Sequence, residues 1–158
     1  MRTGIPVLLL ALLATACSGT PPATLGPTGE SGAQALAACP DTPNCVHTGL
    51  RHPDGTQGLV LAEDWPDRPE AALDAIAEAL EAMPRTEVVE REGRYLRAEA
   101  TSRIFRFVDD VEVHLAMDGQ VVVRSASRVG RSDMGVNAER VAELRSGLER
   151  TGVVWSVP

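Results

Sequence analysis

The sequence predicts a two-layer α+β domain in which an antiparallel sheet of about four strands carries two helices on one face. Two stretches repeat apolar residues at helical spacing, and three others alternate apolar and polar residues as half-buried strands do. Glu92-Gly93 and Asp118-Gly119 supply turn residues between the strands. These observations favour hairpins, and the two helices are expected to cover the Val/Ala face of the sheet.

Pro69 begins the first predicted helix, because proline is favoured in a first turn, and Pro84 ends it. Asp67 is the expected cap, and Glu70 lies near the positive end of the helix dipole. The apolar residues that recur at helical spacing and should be buried are Ala72, Leu73, Ile76, Leu80 and Met83.

Four strands are predicted next: 86–89, 95–101, 110–115 and 121–127. The turn between the last two decides which side chains share a face. A two-residue turn at Asp118-Gly119 would mix apolar and charged side chains on both faces. A three-residue turn from Met117 to Gly119, with glycine in the left-handed conformation, places Glu112 opposite Arg124 and segregates the faces. We therefore predict the bulged three-residue turn.

The second helix is expected to begin with Asn137 as its cap and to end just before Gly152. A short terminal strand follows within 153–157. The apolar stripe of this helix consists of Val141, Leu144 and Leu148.

Composition excludes several functions. The 158 residues suffice for one domain, but aromatic residues make up only 3%, so the core must be built from Ala, Val and Leu. All basic residues are arginine, which excludes lysine Schiff bases and lysine-dependent phosphate loops. The net charge of -7 argues against nucleic acid as a partner.

The first residues have the layout of an export signal: Arg2, a short apolar run, then small residues before Cys17. A cysteine at that place resembles the lipobox of bacterial lipoproteins, in which Cys17 is lipidated; an ordinary signal peptide is the alternative. Residues 17–38 are rich in Gly, Pro, Thr, Ser and Ala, so they predict a flexible tether of about 25 Å. The predicted organisation is a signal peptide 1–16, a tether 17–38 and a single domain 39–158.

Cys39 and Cys45 enclose a stretch with two prolines. With Cys17 lipidated, export leaves these cysteines as an even pair and favours a disulfide. Free thiols and a metal site with His47 and His52 are the alternatives, but the spacing does not match a zinc motif. No metal and no cofactor are therefore predicted.

Four segments appear together in this order: CPDTPNCV, PRT, YLRAEATSRIFRFVDDVEV and VRSASRVGRSDMGVNAERV. Together they resemble the uncharacterised family catalogued as domain of unknown function 1499, from Cys39 to about Leu148. The resemblance implies an exported or membrane-tethered domain and no established activity. The chain has Arg131 where an aromatic residue is frequent in the family, and His47 and Thr48 where serines are frequent.

Charged side chains are expected on the sheet face away from the helices. One interpretation is a solvated ladder of cross-strand ion pairs, each contributing little to stability. Another is an anion-binding surface, since guanidinium groups suit carboxylates and phosphates. The candidate ligand-binding residues are Arg103, Asp109, Asp110, Arg124, Arg128, Ser132 and Asp133.

Three chemical alternatives involve these or neighbouring residues. Asp110, Glu112 and His114 could form a metal triad, but residues two apart on one strand splay. A hydrolase triad of Ser125, His114 and Asp109 fails because strand alternation puts His114 on the opposite face. An enzyme site of Asp109, Arg128, Ser132 and Asp133 stays as the rival to a binding module.

Two loop features have alternatives of their own. Ser132 and Asp133 are expected to form a turn and cap network, or else an anion site together with helix amides. Phe105 and Phe107 are expected in the core, whereas an exposed pair would mark a partner site.

The sequence therefore predicts a lipid-anchored, extracytoplasmic domain of the bacterial cell envelope, a non-enzymatic binding or envelope-associated module without catalytic residues. Its expected partners are the membrane, through the anchor, and either an anionic small molecule or an envelope protein. The alternative is a small-molecule hydrolase or another enzyme with an Asp/Arg/Ser site.

Overall fold

The computed structural model describes residues 19–29, 35–49, 58–63, 65 and 67–156; the signal sequence, Cys17 and His52 lie outside this part. The described part forms two helices and a single antiparallel sheet of seven strands. The α+β class is confirmed, but the expectation of about four strands is too low. The elements are β1 (Cys45–His47), β2 (Leu59–Leu61), α1 (Pro69–Glu81), β3 (Thr86–Glu92), β4 (Tyr95–Thr101), β5 (Val108–Leu115), β6 (Gln120–Ser127), α2 (Val136–Arg150) and β7 (Val154–Ser156).

The strand order is β3-β4-β5-β6-β2-β7, and β1 also pairs with β6. β1 lies opposite Arg124 to Ala126, whereas β2 lies opposite Gln120 and Val121, so the two short strands share one column beside β6. Each has only three residues, too few to show a period, and neither strand is predicted from the sequence. The terminal strand β7 pairs with β2, as an edge strand.

The predicted turn between β5 and β6 is confirmed. The backbone N–H of Ala116 donates to the carbonyl of Gln120 at 2.8 Å and closes a three-residue loop. Gly119 in this loop has a φ of 84°. Glu112 lies opposite Arg124 and Val113 opposite Val123. Val113 and Val123 therefore share one face of the sheet, and Glu112 and Arg124 share the other.

Both helices begin differently from the prediction. α1 is preceded by Arg68 in the N-cap position, without a side-chain cap, so the prediction of Asp67 as the cap is wrong. α2 has Gly135 in the N-cap position, and Asn137 lies inside the helix and is fully buried. Asp133 supplies the missing acceptor, since its carboxylate accepts the backbone N–H groups of Gly135 and Asn137 at 3.1 and 2.7 Å.

The hydrophobic core lies between the helices and the Val/Ala face of the sheet. The predicted stripe of α1 is buried, including Met83 just beyond the helix, and so is that of α2. The sheet contributes side chains at alternate positions, such as Ala98, Val111 and Val123. This packing fixes the register of β4, β5 and β6 and thereby the positions of the charged residues on the opposite face. Among the described residues, neither helix has the length and apolar content needed to span a bilayer.

Candidate functional site

Strand alternation brings the charged residues of β4, β5 and β6 to one face of the sheet. The cross-strand partners are Glu99 with Asp110 and Glu112 with Arg124, and Arg97 lies opposite Glu112. We call this the polar face. Three arginines on it form ion pairs with four carboxylates. The residues that form these pairs are Glu90, Arg97, Glu99, Asp110, Glu112, Arg124 and Arg128.

Arg128 and Asp110 form the centre of the polar face. Two parallel hydrogen bonds join them, with Nε 2.8 Å from Oδ2 and Nη2 2.7 Å from Oδ1. Arg97 donates a further hydrogen bond to Asp110 at 3.1 Å, and both arginines also reach Glu99. Hydrogen bonding to Asp110 is the main cause that raises the pKa of Arg128, against the opposing effect of burial. Both side chains are almost inaccessible, with exposed fractions of 4% and 2%.

Glu112 is the most deeply buried charge on this face, with no exposed surface. Its Oε2 accepts a hydrogen bond from Arg124 Nη1 at 2.8 Å, and its Oε1 accepts from the Tyr95 hydroxyl at 3.1 Å. The backbone N–H of Gly26 donates to the same Oε1 at 2.9 Å. Burial is the main cause that raises the pKa of Tyr95, followed by the charge of Glu112, so this hydroxyl remains a donor. The sequence placed Tyr95 on this face by alternation but did not count it as a site residue.

A segment that the sequence assigned to the tether covers the polar face. We call residues 19–29 and 35–38 the N-terminal cover. Ala35 and Leu36 are buried, and Leu36 packs against Tyr95 and Val122. The composition of the segment does not reveal this packing, because the sheet supplies the apolar surface. The polar face is also not a solvated ladder of ion pairs.

A cavity of about 450 Å³ lies between the N-terminal cover, the disulfide loop and the polar face. The sheet contributes Asp110, Arg124, Ala126 and Arg128 to its lining. The cover contributes Pro22 and Thr24 among others, and the loop contributes Thr42 and Asn44. Of the predicted ligand-binding residues, only Asp110, Arg124 and Arg128 meet here.

Arg124 has an unused donor. Its Nη1 binds Glu112, but its Nε is buried and has no hydrogen-bond partner among the described residues. A buried donor without a partner is costly and is rare in folded proteins. Arg124 also lines the cavity, although its Nε itself has almost no accessible surface.

Asp109 lies on the opposite face and belongs to a second network. Arg140 of α2 donates to Asp109 Oδ2 at 2.8 Å and to Ser125 Oγ at 3.0 Å. Asn137 joins this network through its side-chain oxygen, and its Nδ2 donates to Ser127 Oγ and the carbonyl of Asn44. These bonds attach the start of α2 to β6 and β1.

The three remaining predicted site residues lie in loops outside the cavity lining. Ser132 and Arg103 are exposed, in the loops after β6 and β4. Asp133 is engaged at the start of α2. Burial opposes the charge on Asp133, but the backbone N–H groups of Asn137 and Gly135 outweigh it and lower the pKa of this carboxyl. Asp133 therefore has the turn and cap role that its sequence context predicts.

The disulfide between Cys39 and Cys45 is confirmed, with a Cα separation of 5.6 Å. It joins the end of the N-terminal cover to β1. Within the part of the chain that the structure describes, no three His, Cys, Asp or Glu side chains form a group able to hold a metal ion. Asp110 and Glu112 of the proposed metal triad are bound by arginines instead.

The family resemblance is confirmed by comparison with known families. The model described as "Protein of unknown function (DUF1499)" matches residues 35–148. The chain therefore belongs to this family of unknown function. No curated protein matches the sequence. The match begins at Ala35, the first buried residue of the second part of the N-terminal cover, rather than at Cys39.

Proposed function

We propose that this protein is a lipid-anchored protein of the bacterial cell envelope whose extracytoplasmic domain binds a small polar molecule and catalyses no reaction. The anchor is supported by the export-type sequence that ends in small residues directly before Cys17. The disulfide supports an oxidising compartment.

One observation carries the binding proposal: Arg124 lines the cavity, and its buried Nε–H has no hydrogen-bond partner among the described residues. The volume of the cavity, about 450 Å³, suits a small molecule. Asp110 and Glu112 already pair with arginines, so the cavity offers a directed donor rather than excess positive charge. The ligand is therefore a small molecule that presents an acceptor oxygen, such as a carboxylate, to the Nε edge of Arg124.

The positions of the candidate catalytic groups argue against the hydrolase alternative. Asp109 and Arg128 lie on opposite faces of the sheet and bind different partners. Ser132 is exposed in a loop, and Asp133 is occupied by the backbone N–H groups of α2. A nucleophile and a base within hydrogen-bond reach of each other are the minimum for such chemistry, and these four residues do not provide them.

Ligand binding is tested by thermal unfolding of the mature protein with a panel of small carboxylates. A ligand at one hundred times its Kd stabilises by about 2.7 kcal/mol and raises the Tm accordingly. Ala126→Leu fills the cavity and should abolish the shift, while Ala138→Leu on the exposed side of α2 should leave it intact. Equal shifts in both variants would place the ligand elsewhere, and no shift across the panel would count against a carboxylate.

The anchor is tested separately by the intact mass of protein extracted from membranes. The expected mass corresponds to a chain that begins at an acylated Cys17, and Cys17→Ser should abolish this species. An unmodified amino terminus at another residue would refute the anchor.

A further inference from the structure

Two loops meet at one end of the sheet, next to the disulfide loop. One loop, residues 102–107, joins β4 to β5, and the other, residues 128–135, joins β6 to α2. They leave the sheet side by side, because Thr101 pairs with Val108 and the N–H of Arg128 donates to the carbonyl of Val108 at 3.2 Å. Asn44 of the disulfide loop donates to the carbonyl of Gly130 at 2.9 Å. We call these two loops, together with the adjoining Val136, the tip.

The tip exposes several large apolar side chains to solvent. Ile104 is 77% exposed, Phe105 66% and Met134 92%. Phe107, Val129 and Val136 are exposed as well. The prediction from sequence that the two phenylalanines lie in the core is wrong. Their rings stack on each other, with centroids 5.5 Å apart, instead of packing into the domain. An apolar group of this kind on one end of a domain indicates a docking surface.

The backbone supports the outward display of these side chains. Arg106 has a φ of 58°, and Met134 has a φ of 56°. The left-handed region costs a non-glycine residue about 1 kcal/mol, so each loop keeps its tip conformation against an intrinsic preference. In the first loop, this conformation at Arg106 holds Phe105 and Phe107 next to each other.

The charge of the tip is opposite to that of the whole protein. Its loops expose Arg103, Arg106 and Arg131, in a chain with a net charge of -7. Their single acidic residue, Asp133, is held by the start of α2, and the adjacent disulfide loop adds Asp41. Arginines around exposed aromatic and aliphatic side chains match the surface of an anionic lipid bilayer.

The start of the described chain lies at the same end of the sheet. The backbone of Gly19 lies so close to β6 that an added Cβ would be 3.0 Å from Arg128 Cβ and 3.1 Å from Val129 Cγ1. Val129 belongs to the tip. Cys17 precedes Gly19 by two residues, a span of at most about 7 Å. An acyl group on Cys17 would therefore begin next to the tip rather than at the end of a long tether.

We propose that the tip docks on the anionic lipid surface into which the acyl chains of Cys17 insert. Ile104, Phe105 and Met134 enter the headgroup region, and the arginines contact the lipid phosphates. The inference rests on the lipid anchor proposed above and adds to it a fixed orientation of the domain. One anchor and one interfacial patch together hold a protein at a membrane more firmly than either does alone.

The test uses the full mature protein, reconstituted in vesicles of phosphatidylethanolamine and phosphatidylglycerol whose acyl chains are brominated. Phe105→Trp places a quenchable reporter in the tip. Met117→Trp is the control, because Met117 is even more exposed than Phe105, at 83%, and lies in the β5–β6 turn at the other end of the sheet. The parent protein, with Trp65 and Trp155, gives the baseline emission.

The fluorescence added by Phe105→Trp should fall by about half in brominated vesicles, since interfacial side chains reach the acyl boundary. The fluorescence added by Met117→Trp should not change. In the Phe105→Trp background, Arg106→Glu with Arg131→Glu should reduce the quenching in anionic vesicles.

The mass of Cys17 is measured on the same samples, so that the two proposals fail separately. An acylated protein in which both reporters respond equally, or neither responds, overturns docking of the tip and leaves the anchor. A concentration-dependent dimer that shields Phe105 without quenching overturns docking in favour of a second copy of the chain. A protein without acylation at Cys17 overturns both proposals.

Discussion

The two faces of the sheet are stabilised by different interactions, apolar packing on one and ion pairs on the other. On one face, α1 and α2 bury apolar side chains whose attraction has no preferred direction. On the other face, Arg97, Arg124 and Arg128 form ion pairs that depend on hydrogen bonds of defined geometry. Removing one partner of a buried ion pair leaves a charge that neither water nor protein compensates. The apolar face should therefore tolerate changes of shape, whereas the polar face should tolerate few single changes.

The largest expected effect is the loss of Arg124. Arg124→Ala should lower the free energy of unfolding by about 3–5 kcal/mol, because Glu112 would remain buried without its partner. The double variant Arg124→Met with Glu112→Leu should recover most of this loss, since it removes both charges. Urea unfolding measures the free energy of unfolding of the single and the double variant. A loss of less than about 1 kcal/mol in Arg124→Ala would show that burying Glu112 without its ion-pair partner costs little.

A pair of conservative substitutions sharpens the comparison. Arg128→Lys keeps the charge but loses the double hydrogen bond to Asp110, and we expect a loss of about 2 kcal/mol. Leu144→Met on the opposite face keeps the buried volume and should cost less than about 1.5 kcal/mol. Chemical denaturation measures both losses. A larger loss in Leu144→Met than in Arg128→Lys would contradict the expectation that the polar face tolerates substitution less well than the apolar face.

The cap of α2 provides a smaller, pH-dependent effect. Asp133→Asn should cost about 1 kcal/mol at neutral pH, a typical value for a helix cap. The pKa of Asp133 is lower in the folded protein than its ordinary value of 3.8, so its stabilisation is present above pH 3.8 and is lost as the pH falls through the folded pKa. Asp133→Asn should therefore lose less stability in acid than the parent does. Parallel acid unfolding curves would show that this carboxylate is not the relevant group.

The smallest effect is expected for an exposed ion pair. Asp74 of α1 and Arg91 of β3 are 61% and 39% exposed, so water and salt screen their attraction. Asp74→Ala should change the stability by less than about 0.5 kcal/mol. This variant is the control for Arg124→Ala, because it removes an ion pair without leaving a buried charge. A loss as large as that of Arg124→Ala would show that burial does not decide the cost.

Local periodicity predicted the part of the fold that depends on neighbours in sequence. The pairing of Glu112 with Arg124 followed from the turn alone, because only one register segregates the faces. The apolar stripes of the helices and the disulfide could also be predicted, because they too depend on residues close together in the sequence. Three-residue strands such as β1 and β2 carry too few side chains for a pattern, and their position depends on the free edge of β6.

The site was harder to predict from the sequence than the fold. Asp110, Arg124 and Arg128 were named from their strand positions, but the segment that covers them was not, since Leu36 finds its partners only in the folded sheet. Asn137 was assigned as a cap from its position, whereas it is buried and bonded to Ser127 and the backbone of Asn44. Phe105 and Phe107 were assigned to the core by residue type, and hydrophobicity alone does not distinguish a core residue from a docking residue.

The contact between Gly26 and Glu112 has a consequence for the order of folding. These residues are 86 positions apart, whereas β3 to β6 are joined by short turns. Pairing between sequence neighbours forms early, and closure of a long loop comes late. The N-terminal cover is synthesised before the strands but has no surface to dock on until β5 and β6 have paired. We therefore expect the ion pairs beneath it to form in water and to be dehydrated in a final step, when the N-terminal cover docks.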